Sequence, residues 1–217
     1  MKKIFVFFSI AVISNICFSA KPIDLPKHYK FPKNYFKGKH YDGVKDFFLI
    51  ATEKIKDSRF EKTVILMLEH DEKGALGIVI NKPLGTISLG QLISKVDDQS
   101  INKKELYNTK ISIYWGGPVD DDKMLILHSK DYKNESTKEY NELSISSDLT
   151  ILVEIAEKKG PKKSLVVLGL AAWNISQLDG EIELERWTLS EFDENLIFDI
   201  ENKKKWLKAI NNSFIRL

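Results

Sequence analysis

Residues 63–83 read TVILMLEHDEKGALGIVINKP, and this stretch decides the fold class. Thr63–Glu69 and Leu76–Ile80 are short apolar runs rich in β-branched residues, a pattern typical of buried strands. His70–Gly74 lies between them and predicts a turn, whose glycine can adopt the positive φ that many hairpin turns need. Pro83 has no amide donor, so we expect the second strand to stop there. The stretch therefore predicts a β-hairpin.

The same reasoning places other elements along the chain. Strand-like runs lie at 47–51, 111–115, 124–128, 164–170 and 186–189. Apolar residues at helical spacing predict helices at 89–96, 149–156 and 202–210, and a further helix after Asn174 or Ser176 with Leu178, Ile182 and Leu184 inward. Ser88, Asp148 and either Asn174 or Ser176 are the expected caps, and residues 97–109 and 129–142 are expected loops. Because strands occur both in hairpins and between helices, the sequence predicts an α+β fold rather than a regular parallel α/β sheet.

Composition narrows the class of protein. The chain has 217 residues, of which 43% are hydrophobic, 11% aromatic and 29% charged. These values exclude a disordered, collagen-like or multi-span membrane protein and suit one large domain. The 33 Lys and Arg residues against 31 Asp and Glu residues give a charge of +2, which is too balanced to indicate a nucleic-acid surface.

The first twenty residues, MKKIFVFFSIAVISNICFSA, have the pattern of a secretory signal peptide. Lys2 and Lys3 precede an apolar stretch too short to span a bilayer comfortably, and small residues follow it, with cleavage expected after Ser19 or Ala20. An uncleaved membrane anchor is the alternative, and a lipoprotein site at Cys17 is disfavoured by the residues in front of it. We therefore expect an exported, periplasmic protein, or a cytoplasmic one if the segment is not a signal.

Removing the leader changes the chemistry available to the rest of the chain. The mature protein then has 31 basic and 31 acidic residues, and it loses Cys17, the only cysteine. A disulfide, a thiol nucleophile and a zinc–thiolate site are thereby excluded. We divide the chain into a signal peptide (1–20), an irregular N-terminal extension (21–45) and one domain (46–217). His28 and His40 of the extension are interpreted as ordinary surface residues.

Several strong catalytic patterns are absent from the sequence: a Gly-x-Ser-x-Gly elbow, a phosphate-binding loop, His-Glu-x-x-His and a dinucleotide fingerprint. Four polar stretches remain as candidates. Glu69-His70-Asp71 offers a base or ligand, although a turn is favoured. Gly116-Gly117-Pro118 offers amides to an anion, although a structural turn is favoured, and His128 is favoured as a buried histidine bonded to backbone. The segment 173–181, with Trp173 and Gln177, suits a small polar ligand or a protein contact, although core packing is favoured.

Taken in order, several blocks of the sequence resemble the YqgE/AlgH family of bacterial proteins. The blocks are FLIAT (48–52), DSRFEKTVILMLEHDEKGALGIVINKPL (57–84), YWGGPVDDDKMLILHS (114–129), LGLAAWNISQLDGEIE (168–183) and LIFDIENKKKWLKAI (196–210). The resemblance implies an α+β fold whose bent, mixed or antiparallel sheet forms a pseudo-barrel with flanking helices. It implies no particular enzyme activity, and we expect neither a cofactor nor a metal.

The family's characteristic polar positions carry over to this chain as one candidate binding site. They are Glu69, His70, Asn81, Pro83, Gly116, Gly117, Pro118, His128, Trp173 and Gln177. Three positions depart from the family pattern: Glu53 replaces a proline, Ser176 a glycine and Asp179 a glutamate. If the glycine serves to let a ligand approach, Ser176 would partly block that approach. The signal peptide is a further departure, because typical members resemble cytoplasmic proteins.

Three functions are open at this point. A non-enzymatic binding or regulatory module, contacting a protein or a small ligand in the envelope, fits the missing catalytic motifs and the neutral charge. A hydrolase-like enzyme would use His70 or His128 with nearby carboxylates. A transcriptional regulator follows only from a label given to some family members, and the interspersed acidic residues disfavour nucleic acid as a partner.

Overall fold

The computed structural model describes residues 34–36, 39–41, 43–93 and 108–213. Its first elements are β1 (Asn34–Phe36) and β2 (Lys39–Tyr41), which pair antiparallel as a separate two-stranded sheet. The prediction that the whole extension 21–45 is irregular is therefore wrong for these residues. The sequence offered no strand periodicity there, and local pairing across a short connection supplies the order instead.

A ten-stranded sheet forms the body of the described protein. In chain order its strands are β3 (Phe48–Ala51), β4 (Val64–Asp71), β5 (Gly74–Val79), β6 (Pro83–Ser88), β7 (Lys110–Trp115), β8 (Val119–Ser129), β9 (Lys138–Tyr140), β10 (Leu143–Ser146), β11 (Ser164–Trp173) and β12 (Trp187–Ser190). The spatial order is β12-β3-β4-β5-β11-β8-β10-β9, with β7 joined to β11 and β6 joined to β7. The β7–β11 pair is parallel and the others are antiparallel. The sheet curls into a half-barrel, which confirms the predicted α+β class.

Five helices cover the sheet within the described residues. They are α1 (Leu89–Ile93), α2 (Thr150–Ala156), α3 (Gln177–Glu183), α4 (Glu194–Phe198) and α5 (Asn202–Asn211). Ser88 caps α1 as predicted: its Oγ accepts the Gln91 N–H, and the Gln91 side chain accepts the Ser88 N–H in return. Asp148 accepts the Thr150 N–H at 2.9 Å at the start of α2, as predicted. In the part of the chain that is described, no helix is long and apolar enough to cross a membrane.

The two faces of the sheet bury different clusters. One face packs Phe48, Leu66 and Leu127 against Leu196 of α4 and Ala209 of α5. The opposite face has two clusters of its own. At one end Met67 and Trp187 pack on Leu178 and Ile182 of α3, and at the other end Ile126 and Val166 pack on Leu152 of α2. Helix α3 and helix α5 therefore lie on opposite faces.

Some local predictions are wrong, and each has a physical reason. His70 and Asp71 belong to strand β4 rather than to a turn, because pairing with Ala75 and Gly74 of β5 extends the ladder to a two-residue turn at 72–73. The hairpin strand β5 ends at Val79, before Pro83 is reached, and Pro83 instead begins β6. The first position of a strand at the edge of the sheet tolerates a missing amide donor.

The remaining differences concern the segments between the predicted elements. Strand β9 lies inside the expected loop 129–142, and β10 and α4 lie where no element is predicted. Neither Asn174 nor Ser176 caps α3 through its side chain, and Leu184 is exposed rather than inward. The end of the helix predicted to reach Val96, and most of the loop predicted at 97–109, lie outside the described residues.

Candidate functional site

The His70 imidazole joins two parts of the fold. It stands near the end of β4, and its Nδ1 accepts the Val44 N–H at 3.1 Å. Its Nε2 lies 3.4 Å from Oδ1 of Asp179, on the first turn of α3. Because Nδ1 accepts a hydrogen bond, a neutral ring carries its hydrogen on Nε2, where it faces the carboxylate. His70 therefore connects the chain preceding β3 to α3.

Asp179 is buried more deeply than a carboxylate usually is. Its side chain is 3% exposed and that of His70 is 8% exposed. One carboxylate oxygen faces the imidazole, and the other, Oδ2, has no hydrogen-bond partner among the described residues.

A second carboxylate on α3 organises the neighbouring aromatic side chains. Glu181 Oε2 accepts the indole N–H of Trp187 at 2.7 Å and that of Trp173 at 3.2 Å. Its Oε1 accepts the Gln177 side-chain amide at 3.3 Å, and Gln177 Oε1 in turn accepts the Asn174 N–H. The two indoles meet edge to face, with ring centroids 6.0 Å apart. We call His70, Trp173, Gln177, Asp179 and Glu181 the α3 cluster.

Ser176 begins α3 in a left-handed conformation, with φ 58° and ψ 1°. The family's usual glycine at this position is thereby explained by backbone conformation, because an L side chain is disfavoured at such angles. The backbone conformation alone explains a glycine at this position, without any role in letting a ligand approach.

Ser176→Gly is expected to stabilise the protein by about 0.5–1 kcal/mol, because relief of the left-handed strain exceeds the extra entropy of glycine in the unfolded chain. Urea unfolding of the two proteins measures the difference. Ser147→Gly is the matched control: this serine is exposed and has no positive φ, so glycine there should destabilise slightly. Equal effects at both positions would contradict the conformational explanation.

The Gly116-Gly117-Pro118 stretch is a backbone crossing rather than an open anion site. Gly116 N–H donates to Leu168 O at 2.7 Å, and Gly116 O accepts the Val79 N–H at 2.9 Å. A Cβ on Gly117 would lie 2.1 Å from the backbone of Leu170. The glycines allow β7 and β11 to approach more closely than side chains permit, and the amide of Gly116 is already used.

His128 is held in the core of a different part of the sheet. Its Nδ1–H donates to Ser129 O at 2.9 Å, so Nε2 accepts from the Ser146 hydroxyl at 3.0 Å. Burial lowers the pKa of His128, which favours a neutral ring. This chain of hydrogen bonds, from a serine hydroxyl to an imidazole whose other nitrogen is held in place, resembles the arrangement of a catalytic serine and its general base. Both side chains are nevertheless 0% exposed, so a substrate has no access to them in this conformation.

The other candidate positions hold local structure. Asn81 Oδ1 accepts the Val64 N–H at 2.9 Å, and its amide donates to Lys62 O at 2.8 Å, which ties the end of the hairpin to the start of β4. Pro83 is exposed at the start of β6. Glu69 is half-buried in β4, and its charge contributes to the raised pKa of Tyr140, although burial is the larger cause.

The candidate positions thus separate into groups. His70, Trp173 and Gln177 meet at α3, whereas His128 bonds to β10, and Asn81 and the two glycines hold strand ends and crossings. Asp179 and Glu181, which complete the α3 cluster, were not among the predicted site residues. The spacing of four between Gln177 and Glu181 was the available signal for the second. No grouping of three or more His, Cys, Asp or Glu residues within the described ranges could hold a metal ion.

Comparisons with known proteins agree on one family. The AlgH-like family profile matches residues 48–217. A UPF0301 protein of Shewanella sp. (strain ANA-3) is 35% identical over 169 residues, which cover 77% of this chain and 90% of the relative. The UPF0301 protein AlgH of Pseudomonas aeruginosa is 35% identical over 162 residues, covering 75% and 84%.

Solved structures give the same result at the level of the fold. The solution structure of the AlgH protein from Pseudomonas aeruginosa superposes with a TM-score of 0.66 at 33% identity, covering 80% of this chain and 90% of that one. A Corynebacterium diphtheriae crystal structure has a TM-score of 0.59 at 16% identity, covering 84% and 94%, and this likeness concerns the fold alone. The family profile, the relatives at 35% identity and the AlgH solution structure together show that the chain belongs to the AlgH-like family.

Proposed function

We propose that the protein is exported and acts in the envelope as a non-enzymatic binding or regulatory module. One observation carries the non-enzymatic part: the polar side chains of the family blocks bond to backbone segments and to one another. His70, Asn81, His128 and Gln177 each have such a bond. Their chemistry is used to hold the fold, which leaves the surface as the functional part.

The buried histidines support this proposal over a hydrolase. A general base must reach the proton that it removes from a bound substrate. His128 is 0% exposed, and the ring of Tyr132 lies edge-on to it with centroids 5.7 Å apart. His70 has one nitrogen on a backbone amide and the other against a buried carboxylate. Neither ring presents a free nitrogen to solvent.

The surface over α3 is the part of the molecule that we propose for partner contact. Ile175 is 62% exposed in the segment before α3, and Leu184 is 51% exposed directly after it. Both flank the α3 cluster, which fixes this helix on the sheet through the Glu181 hydrogen bonds. A rigid helix with apolar side chains at each end suits contact with another protein.

Export is tested by the intact mass of the native protein from separated periplasmic and cytoplasmic fractions. We expect a periplasmic chain that begins at Ala20 or Lys21, because small residues end the apolar leader. A full-length chain in the cytoplasm would contradict export and return gene regulation to consideration. A full-length chain in the membrane fraction would show an uncleaved anchor.

Partner contact is tested by photo-crosslinking in the native cell. A crosslinking amino acid at Ile175 should give one defined adduct, and one at Leu207 should not. Leu207 is a matched control, because it is 55% exposed on α5, which packs on the opposite face of the sheet. The same adducts at both positions, or none at Ile175, would contradict a partner at the α3 surface.

A further inference from the structure

We propose that His70 is a proton-dependent latch for the chain that leads into the domain. The neutral ring holds the Val44 amide on the sheet, and the protonated ring releases that amide and strengthens its contact with Asp179 of α3. The inference goes beyond the proposed function, since it depends on neither export nor a partner.

The neutral state is the one that the geometry describes. Nδ1 has a single lone pair in the ring plane, and the Val44 N–H occupies it at 3.1 Å. The backbone of Gly43 lies directly on the histidine, because a Cβ added there would be 3.1 Å from His70 O and 3.4 Å from Nδ1. Val44 itself is fully buried. The ring thus holds both residues at one point.

Protonation changes what the ring can bond. The added hydrogen occupies Nδ1, so two N–H donors, of Val44 and of the imidazolium, would face each other at the present 3.1 Å. This hydrogen bond is therefore lost on protonation. At Nε2 the opposite happens, because the imidazolium then meets the Asp179 carboxylate as an ion pair. One proton weakens the hold on Val44 and strengthens the hold on α3.

One buried carboxylate faces the ring. Asp179 approaches it from α3, whereas Glu69 and Asp71, the neighbours of His70 on β4, direct their side chains to the opposite face of the strand. Strand β5 places the uncharged Ala75 opposite His70. Lys45 and Asp46 follow Val44 on the held segment and balance each other. The imidazolium therefore meets an environment in which a positive charge has a partner.

Other contacts limit how far the release extends. Asp46 N–H donates to Met67 O at 3.0 Å, and Met67 N–H donates to Phe47 O at 2.9 Å. Neither bond involves a titrating group, so both persist when His70 is protonated. The Phe47 N–H also donates to Val44 O at 3.2 Å, and the Val44 side chain is buried in the core. Protonation therefore frees the Val44 amide and leaves the Val44 side chain and the residues from Asp46 onward in place.

Amide hydrogen exchange on the full chain tests the latch. We expect the protection of the Val44 amide, corrected for intrinsic exchange, to fall at least tenfold from pH 7.5 to pH 5, the range in which imidazole titrates. The Met67 amide, on the same strand, should keep its protection. In His70→Gln, whose amide does not titrate, the Val44 amide should show no such fall.

Two results would overturn the latch: an unchanged Val44 amide in the wild-type protein, or the same fall in His70→Gln. If His70→Gln does not fold, an NMR titration of the wild-type protein decides the matter. The Val44 amide signal and the His70 ring signals should then move with one shared midpoint, and separate midpoints would show that another group causes the change.

Discussion

Gly117→Ala is expected to destabilise the protein by at least about 3 kcal/mol, which would leave little folded protein at 37 °C. The added Cβ would lie 2.1 Å from both C and O of Leu170, and neither backbone atom can move without breaking the β8–β11 pairing. Gly117 also has φ 151°, which an alanine rarely adopts. Urea unfolding followed by circular dichroism measures the loss.

Gly85→Ala separates the two causes of that loss. Gly85 has a similar φ of 147°, but nothing lies within 4 Å of a Cβ built on it. We expect this control to cost about 1–2 kcal/mol, from backbone strain alone. Equal losses at the two glycines would show that the close approach of β7 and β11 is unimportant.

The free energy of unfolding is expected to rise by about 2 kcal/mol between pH 7.5 and pH 9.5 because of Lys205. This lysine is 2% exposed, and burial lowers its pKa to about 8. Between that value and the ordinary 10.5, the folded protein carries a neutral amine while the unfolded chain still binds the proton. Stability therefore increases with pH through this window and is reduced below it.

Urea unfolding at pH 7.5, 8.5 and 9.5 measures the slope, and Lys205→Met should abolish it by replacing the amine with an apolar chain of similar length. Lys204→Met is the control: Lys204 is exposed and paired with Glu201, so its slope should match the wild type. The measurement stops at pH 9.5 because a second group changes the stability above that pH. Burial raises the pKa of Tyr132 to about 12, so near pH 10 the unfolded chain loses the tyrosine proton while the folded protein keeps it, and the free energy of unfolding falls. A slope that survives in Lys205→Met would contradict the assignment.

The α3 cluster shows how far sequence reasoning reached into the site. The family blocks supplied His70, Trp173 and Gln177, and the structure joins them at one helix. The sequence marks Asp179 only as a departure from a glutamate, and it carries no signal for a role of Val44. Their roles depend on contacts between residues 26 and 109 positions apart, and no local pattern reports such separations.

The glycine stretch shows the reverse relation. The sequence predicts a structural turn at Gly116-Gly117-Pro118. The structure shows the reason: a Cβ on Gly117 would lie 2.1 Å from the backbone of Leu170 in β11, so only glycine fits there. Ser176 is similar: the departure from glycine was visible in the sequence, but only the φ of 58° shows which property of glycine matters.

Local chemistry determined the fold class, because alternating and continuous apolar runs, turn residues and helix caps act over a few residues. The β4–β5 hairpin, the capped helices α1 and α2, and the α+β class all follow from such signals. The three consecutive lysines 203–205 could not be distinguished in this way. Only the tertiary structure places Lys205 against Ile80 O and Ile197 O while its two neighbours stay in solvent. Burial is a property of the assembled sheet and helices, so it decides the charge of Lys205 and the partners of His70 after the sequence has decided the elements.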